Sequence, residues 1–144
     1  QLSGLGDEVR ELLETKGLRQ FQAIASIALV SFDPGIAAAY FYVGPKFAPL
    51  ANSLGKASYQ RQQFSRAEWY FHLASWLDPH FGKPHYNLGW ICNQIRNDIP
   101  CARAKYQSAV AMGEPAAYAE LARIYIMYDR DLPAALKVVE EGLN

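Results

Sequence analysis

The chain has 144 residues, 51% of them apolar and only 19% charged, which is enough for one domain with a buried core and excludes a disordered, solvating chain. Its 14 Lys and Arg balance its 14 Asp and Glu without any basic run, which argues against nucleic acid as the main partner. No G-x-x-x-x-G-K-[ST] phosphate loop is present.

In chain order, Glu8 to Lys16 and Arg19 to Phe32 read as a degenerate helix pair, with Arg10 and Glu14 on an ordinary solvated face. Asp33-Pro34-Gly35 closes it. The stretch GIAAAYFYVGP, residues 35–45, is in excess of a regular spacing. It is expected to form an extra short helix or insertion with an apolar face of Ile36, Tyr40, Phe41 and Val43. Phe21 to Gly44 is the best membrane candidate, but Asp33-Pro34-Gly35 divides it into halves too short to span a bilayer. Further punctuation falls at Gly44-Pro45, Pro49, Asp78-Pro79, Gly82 to Pro84, Gly113 to Pro115 and Pro133, where proline is expected to break helices. No segment alternates with the period of a half-buried strand, so the fold class is all-α.

A period runs through the rest. Leu54-Gly55 recurs as Leu88-Gly89 and Leu121-Ala122, at steps of 34 and 33 residues. An alanine follows at Ala67, Ala102 and Ala134, and a bulky residue four further on at Phe71, Tyr106 and Val138. A small residue comes next at Ala74 and Ala109, and Glu141 breaks the rule in the third copy. Each unit is then two antiparallel helices whose axes approach closely at the small residues. A single pair cannot bury its apolar stripe, so units stack and share a core.

These residues, with Tyr86-Asn87-Leu88-Gly89, Ala102, Tyr106, Ala109 and Pro79, resemble the tetratricopeptide repeat. The stretch GEPAAYAELARIY, residues 113–125, resembles its Sel1-like variant. The resemblance implies a right-handed superhelical solenoid of antiparallel helix pairs. It would hold about three repeats, 49–82, 83–114 and 115–144, after an N-terminal helical extension, 1–48. It also implies a non-catalytic interaction scaffold or adaptor that holds a peptide segment or helix of another protein in a concave groove. Carried over residue by residue, the groove is formed by Asn52, Lys56, Tyr59 and Gln60, then Lys83, Tyr86, Asn87, Trp90, Asn93 and Gln94, then Glu120, Arg123 and Met127. Lys56, Lys83 and Arg123 outnumber Glu120 there, which favours a mildly acidic ligand. Some members of the family clamp a C-terminal carboxylate. Asn87 stands where one clamp asparagine would. Asn52 and Lys56, however, stand where lysine and asparagine are expected, and Ala116 and Glu120 replace basic residues. A glutamate there repels a carboxylate.

The remaining residues point to no chemistry. On the first helix of the middle unit, His85, Leu88, Cys92 and Ile95 form the inward stripe and Trp90 faces outward. His72, His80 and His85 have no metal-ligand spacing, so neither metal nor cofactor is expected. Glu68, Asp78, Asp98, Glu114, Asp129 and Asp131 are scattered, and those in the inner turns, Asp98, Asp129 and Asp131, cap the following helix. Nothing pairs a carboxylate with a nucleophile, and the expectation is that the chain is not an enzyme. Cys92 and Cys101 fit no zinc spacing and read as reduced thiols in or near the core; a disulfide needs an oxidising compartment and suitable geometry. No leader sequence is visible. The start at Gln1 and the end at Asn144 read as those of a piece of a longer chain, and a cytoplasmic location is favoured. The alternative functions are self-assembly through an uncapped end exposing Leu136, Val139 and Leu143, and a regulatory repeat domain of a larger protein.

Overall fold

The computed structural model describes the backbone of residues 34–144 and the side chains from residue 42 onward. The helix pair expected at 8–32 and the side chains of Ile36, Tyr40 and Phe41 lie outside the described residues. The described chain forms six α-helices and no strand: α1 (Pro34–Gln60), α2 (Phe64–Leu77), α3 (Gly82–Trp90), α4 (Ile99–Ala111), α5 (Pro115–Ile124) and α6 (Leu132–Leu143). α3 and α5 each run on into a π turn, Ile91–Ile95 and Tyr125–Asp129. Pro45–Asn144 forms one compact unit.

The prolines near the start of that unit do not do what the sequence suggested. Pro45 and Pro49 both lie inside α1, which is continuous over 27 residues, so there is no separate short helix at 35–45. The two are four apart, so the hydrogen bond missing at Pro49 is one that would have ended on the carbonyl of Pro45. Tyr42 and Val43 are exposed on this helix.

Small residues set the packing. A Cβ added at Gly55 would lie 2.5 Å from the Phe71 ring, and one added at Gly89 would lie 2.7 Å from the Tyr106 ring. Both rings are buried. A Cβ added at Gly82, at the start of α3, would meet Met112 and Ala109 at the end of α4, and Cys92 just beyond α3 is bonded to Cys101 near the start of α4, so α3 and α4 are antiparallel. The buried residues form one cluster of Ala67, Phe71, Leu88 and Ile91, and another built on Tyr106, Leu121, Ile124 and Val138. Of the recurring leucines, Leu88 and Leu121 are buried, whereas Leu54 is 43% exposed.

The third copy keeps its buried bulky residue at Val138 as expected, but its small residue lies one position later. Ala135, at 2% exposure, takes the buried position, while Ala134 is only half-buried. Seven residues further on stands Gly142, against which the Tyr118 ring packs, not the rule-breaking Glu141. The third copy therefore repeats the seven-residue step of Ala67–Ala74 and Ala102–Ala109.

The inner turns repeat as well. Gln62, Asn97 and Arg130 all adopt positive φ, 61°, 52° and 54°, at steps of 35 and 33 residues. Asp98 accepts from the Cys101 N–H and Asp131 from the Ala134 N–H, both at 3.0 Å, so these two cap α4 and α6 as expected. Asp129 does not cap; it accepts from Arg103 Nε at 2.9 Å. Cys92 and Cys101 are disulfide-bonded, with Cα atoms 5.8 Å apart, in place of the two thiols expected. They are nine positions apart in sequence, and the capped turn before α4 folds back far enough to bring them together. Ile95 leaves the inward stripe: it falls in the π turn and is 41% exposed.

Candidate binding groove

The C-terminal half of α1 supplies Asn52, Lys56, Tyr59 and Gln60, at spacings that put them on one helix face. α3 supplies Lys83, Tyr86, Asn87 and Trp90 in the same way. Between the two helices lies a cleft of about 350 Å³, lined by Lys56, Tyr59, Gln60, Tyr86, Asn87 and Trp90, with Phe71 of α2 beside them. A hollow of about 150 Å³ shares Lys56, Tyr86 and Asn87 with it and adds Asn52, Lys83 and Glu114.

Two hydrogen bonds tie the walls together. Asn87 Nδ2 donates to Asn52 Oδ1 at 2.8 Å, and Trp90 Nε1 donates to Tyr59 Oη at 3.0 Å. Asn52 is only 6% exposed, so its bond is sheltered from water. The Tyr86 ring lies 6.5 Å from Trp90 and 5.8 Å from Tyr106, continuing the aromatic lining down into the core. Burial first, and then the negative charges of Glu120 and Glu114, push the Tyr86 hydroxyl above its ordinary pKa. Burial first, and then the charge of Glu120, do the same to the enclosed Tyr106 hydroxyl, against the opposing effect of Asn93 beside it.

The structure brings eight of the thirteen expected groove residues to these two hollows and leaves five elsewhere. Asn93 is buried, 8% exposed, within the π turn, not outward on α3. The wider turn rotates it off the face that Trp90 occupies. Gln94 is exposed but lines neither hollow. Arg123 binds Glu120, its near neighbour on α5, through both Nε and Nη2, so its charge is already matched. Met127 lies in the second π turn, 64% exposed.

Sequence reasoning missed Phe71 and Glu114 as lining residues. Phe71 was legible as a recurring bulky position but not as part of a wall. Glu114 was legible as the residue before the Pro115 helix start. Aromatic rings, amides, two lysines and a glutamate face the hollows. Such groups stack, hydrogen-bond and pair charges. Among the described residues no three His, Cys, Asp or Glu side chains gather to hold a metal ion, and no helix is long and apolar enough to cross a membrane.

Compared with protein-family models, curated proteins and solved structures, the chain matches none.

Proposed function

We propose that this chain is a tetratricopeptide-like solenoid that acts as a non-catalytic adaptor, holding a peptide segment of another protein between α1 and α3. Recurring close approaches, Gly55 on Phe71 and Gly89 on Tyr106, support the repeat architecture. The observation that carries the functional reading is the cleft itself. It is about 350 Å³, within the range of ligand pockets, and has a mainly aromatic wall with a few convergent polar groups. Its walls are fastened to each other before any ligand arrives, which lowers the ordering cost of binding.

The test is selection of peptides from a random displayed library on the wild-type chain, followed by affinity measurement on Trp90→Ala and Asn87→Ala. Loss of a central aromatic anchor costs on the order of 2 kcal/mol of binding. Selected peptides that bind correctly folded Trp90→Ala as tightly as wild type would place the interface elsewhere.

One observation favours a second reading, self-association. Leu132, Leu136, Val139 and Leu143 repeat at alternating four- and three-residue steps on α6 and are 58%, 55%, 42% and 82% exposed. That is the spacing of a helix-pairing seam, and a second copy of α6 would match it. A monomer mass unchanged across concentration in sedimentation equilibrium would remove this reading.

A further inference from the structure

Charge around the groove is unevenly matched. Arg123 is paired with Glu120 and offers no free charge. Lys56 and Lys83 are exposed, and neither makes a hydrogen bond or ion pair among the described residues. They come from α1 and α3, and both line the smaller hollow, where Glu114 is the sole acidic residue. The local balance is therefore positive.

The adjoining cleft has a different chemistry. Tyr59, Phe71, Tyr86 and Trp90 give it aromatic surfaces, and no carboxylate lines it. An aromatic cleft attracts cations as well as apolar groups, but the ammonium of Lys56 in the lining repels a cation. A neutral apolar side chain is the occupant that suffers neither penalty. Because the hollows share Lys56, Tyr86 and Asn87, one short stretch of peptide reaches both. At their junction Asn87 donates through Nδ2 to Asn52, which leaves its Oδ1 to accept a ligand N–H.

Resting on the groove reading above, we propose that the ligand is an acidic protein segment with two recognition elements. A neutral apolar side chain enters the cleft between Tyr59, Phe71, Tyr86 and Trp90. An aspartate or glutamate side chain within two residues of it pairs with Lys56 and Lys83. The recognised carboxylate belongs to a side chain, so no free chain terminus is needed.

The experiment uses the 144-residue chain and short peptides acetylated and amidated at their ends, read by fluorescence anisotropy. One set carries a central Leu, Phe or Trp flanked by Asp and Glu. Control sets replace the acids by Ser or by Lys, or replace the apolar residue by Gly. The expected result is that the acidic–apolar set binds, with the Ser and Gly sets about tenfold weaker and the Lys set weaker still. Binding should also weaken as salt rises from about 50 to about 300 mM. Lys56→Gln and Lys83→Gln should each remove most of the preference for acid over Ser while leaving the folded helix signal unchanged. Both lysines are exposed, so neither change disturbs the core. If acidic and Ser peptides bind equally and both are lost on Trp90→Ala, this specificity is wrong and the groove reading stands. If peptides of no charge class bind, both fall.

Discussion

Replacing Gly89 by alanine tests the close approach between α3 and α4. An added Cβ would sit 2.7 Å from two atoms of the Tyr106 ring, well inside ordinary van der Waals contact. That ring is fully buried and enclosed by Leu121, Ile124 and Val138 in the larger core cluster, so it cannot swing into solvent. Two effects oppose each other. Alanine improves helix propensity over glycine by about 1 kcal/mol. Overpacking a tight core costs about 1–3 kcal/mol. The steric term should win, leaving a net loss of up to about 2 kcal/mol, or several degrees in Tm for a unit near a hundred residues. Urea unfolding followed by far-ultraviolet circular dichroism measures it. In a Tyr106→Ala background the clash is gone, and the same substitution should become stabilising by about 1 kcal/mol. A Gly89→Ala effect of the same sign and size in both backgrounds would refute the argument.

Asn52→Ala should cost about 1–3 kcal/mol, because it strands the Asn87 amide at a sheltered site; an unchanged urea midpoint would mean that water replaces the lost partner. Burial first, and the charge of Lys105 second, hold the His85 imidazole below its ordinary pKa, so the unfolded chain binds the extra proton more readily than the folded one. Its contribution to stability is complete above about pH 6.5 and is lost as the pH falls through the depressed folded value. His85→Gln should therefore flatten the acid side of the stability profile, and an identical slope in both proteins would count against this. Reducing the Cys92–Cys101 bond opens a loop whose ends are nine residues apart and should cost about 2–3 kcal/mol by loop-closure entropy. Coincident urea curves with and without reductant would show that the bond does not restrain the unfolded chain.

The helical class and the recurrence of small and bulky positions were legible, but which faced which was not: the close approaches set Gly55 and Gly89 against the Phe71 and Tyr106 rings, not small residue against small. A glycine and a bulky ring that recur together at a fixed step leave a mark in the sequence, even though their contact on neighbouring helices does not show there. The small residue of the third copy was misplaced because Ala134 and Ala135 are adjacent and composition cannot choose between them. The caps could have chosen: Asp98 precedes Ala102 by four residues, and Asp131 precedes Ala135 by the same step. Pro45 and Pro49 were read as breaks because propensity is local, and α1 continues through both. On the candidate groove, straight helical geometry brought together the residues of α1 and α3 that line the two hollows. It failed at Asn93, where a π turn changes the angular step, and nothing in the residue types announced that turn. The match of Arg123 with Glu120 was readable from their spacing of three on one helix, since such neighbours meet. The cysteine reading failed because it rested on motif spacing, whereas the tight capped turn is what brings the two sulfurs together.

The two bonds across the groove have a consequence for how the molecule assembles. Within a unit, each helix meets its partner across a turn of a few residues, and chains dominated by such local contacts fold in microseconds to milliseconds. The Asn52–Asn87 and Tyr59–Trp90 bonds instead join residues 35 and 31 positions apart, reaching over the whole of α2. They can form only once α3 has been made and has docked against α1. During synthesis the proposed groove therefore cannot close until α3 has emerged, and a chain stalled before Trp90 lacks part of one of its walls.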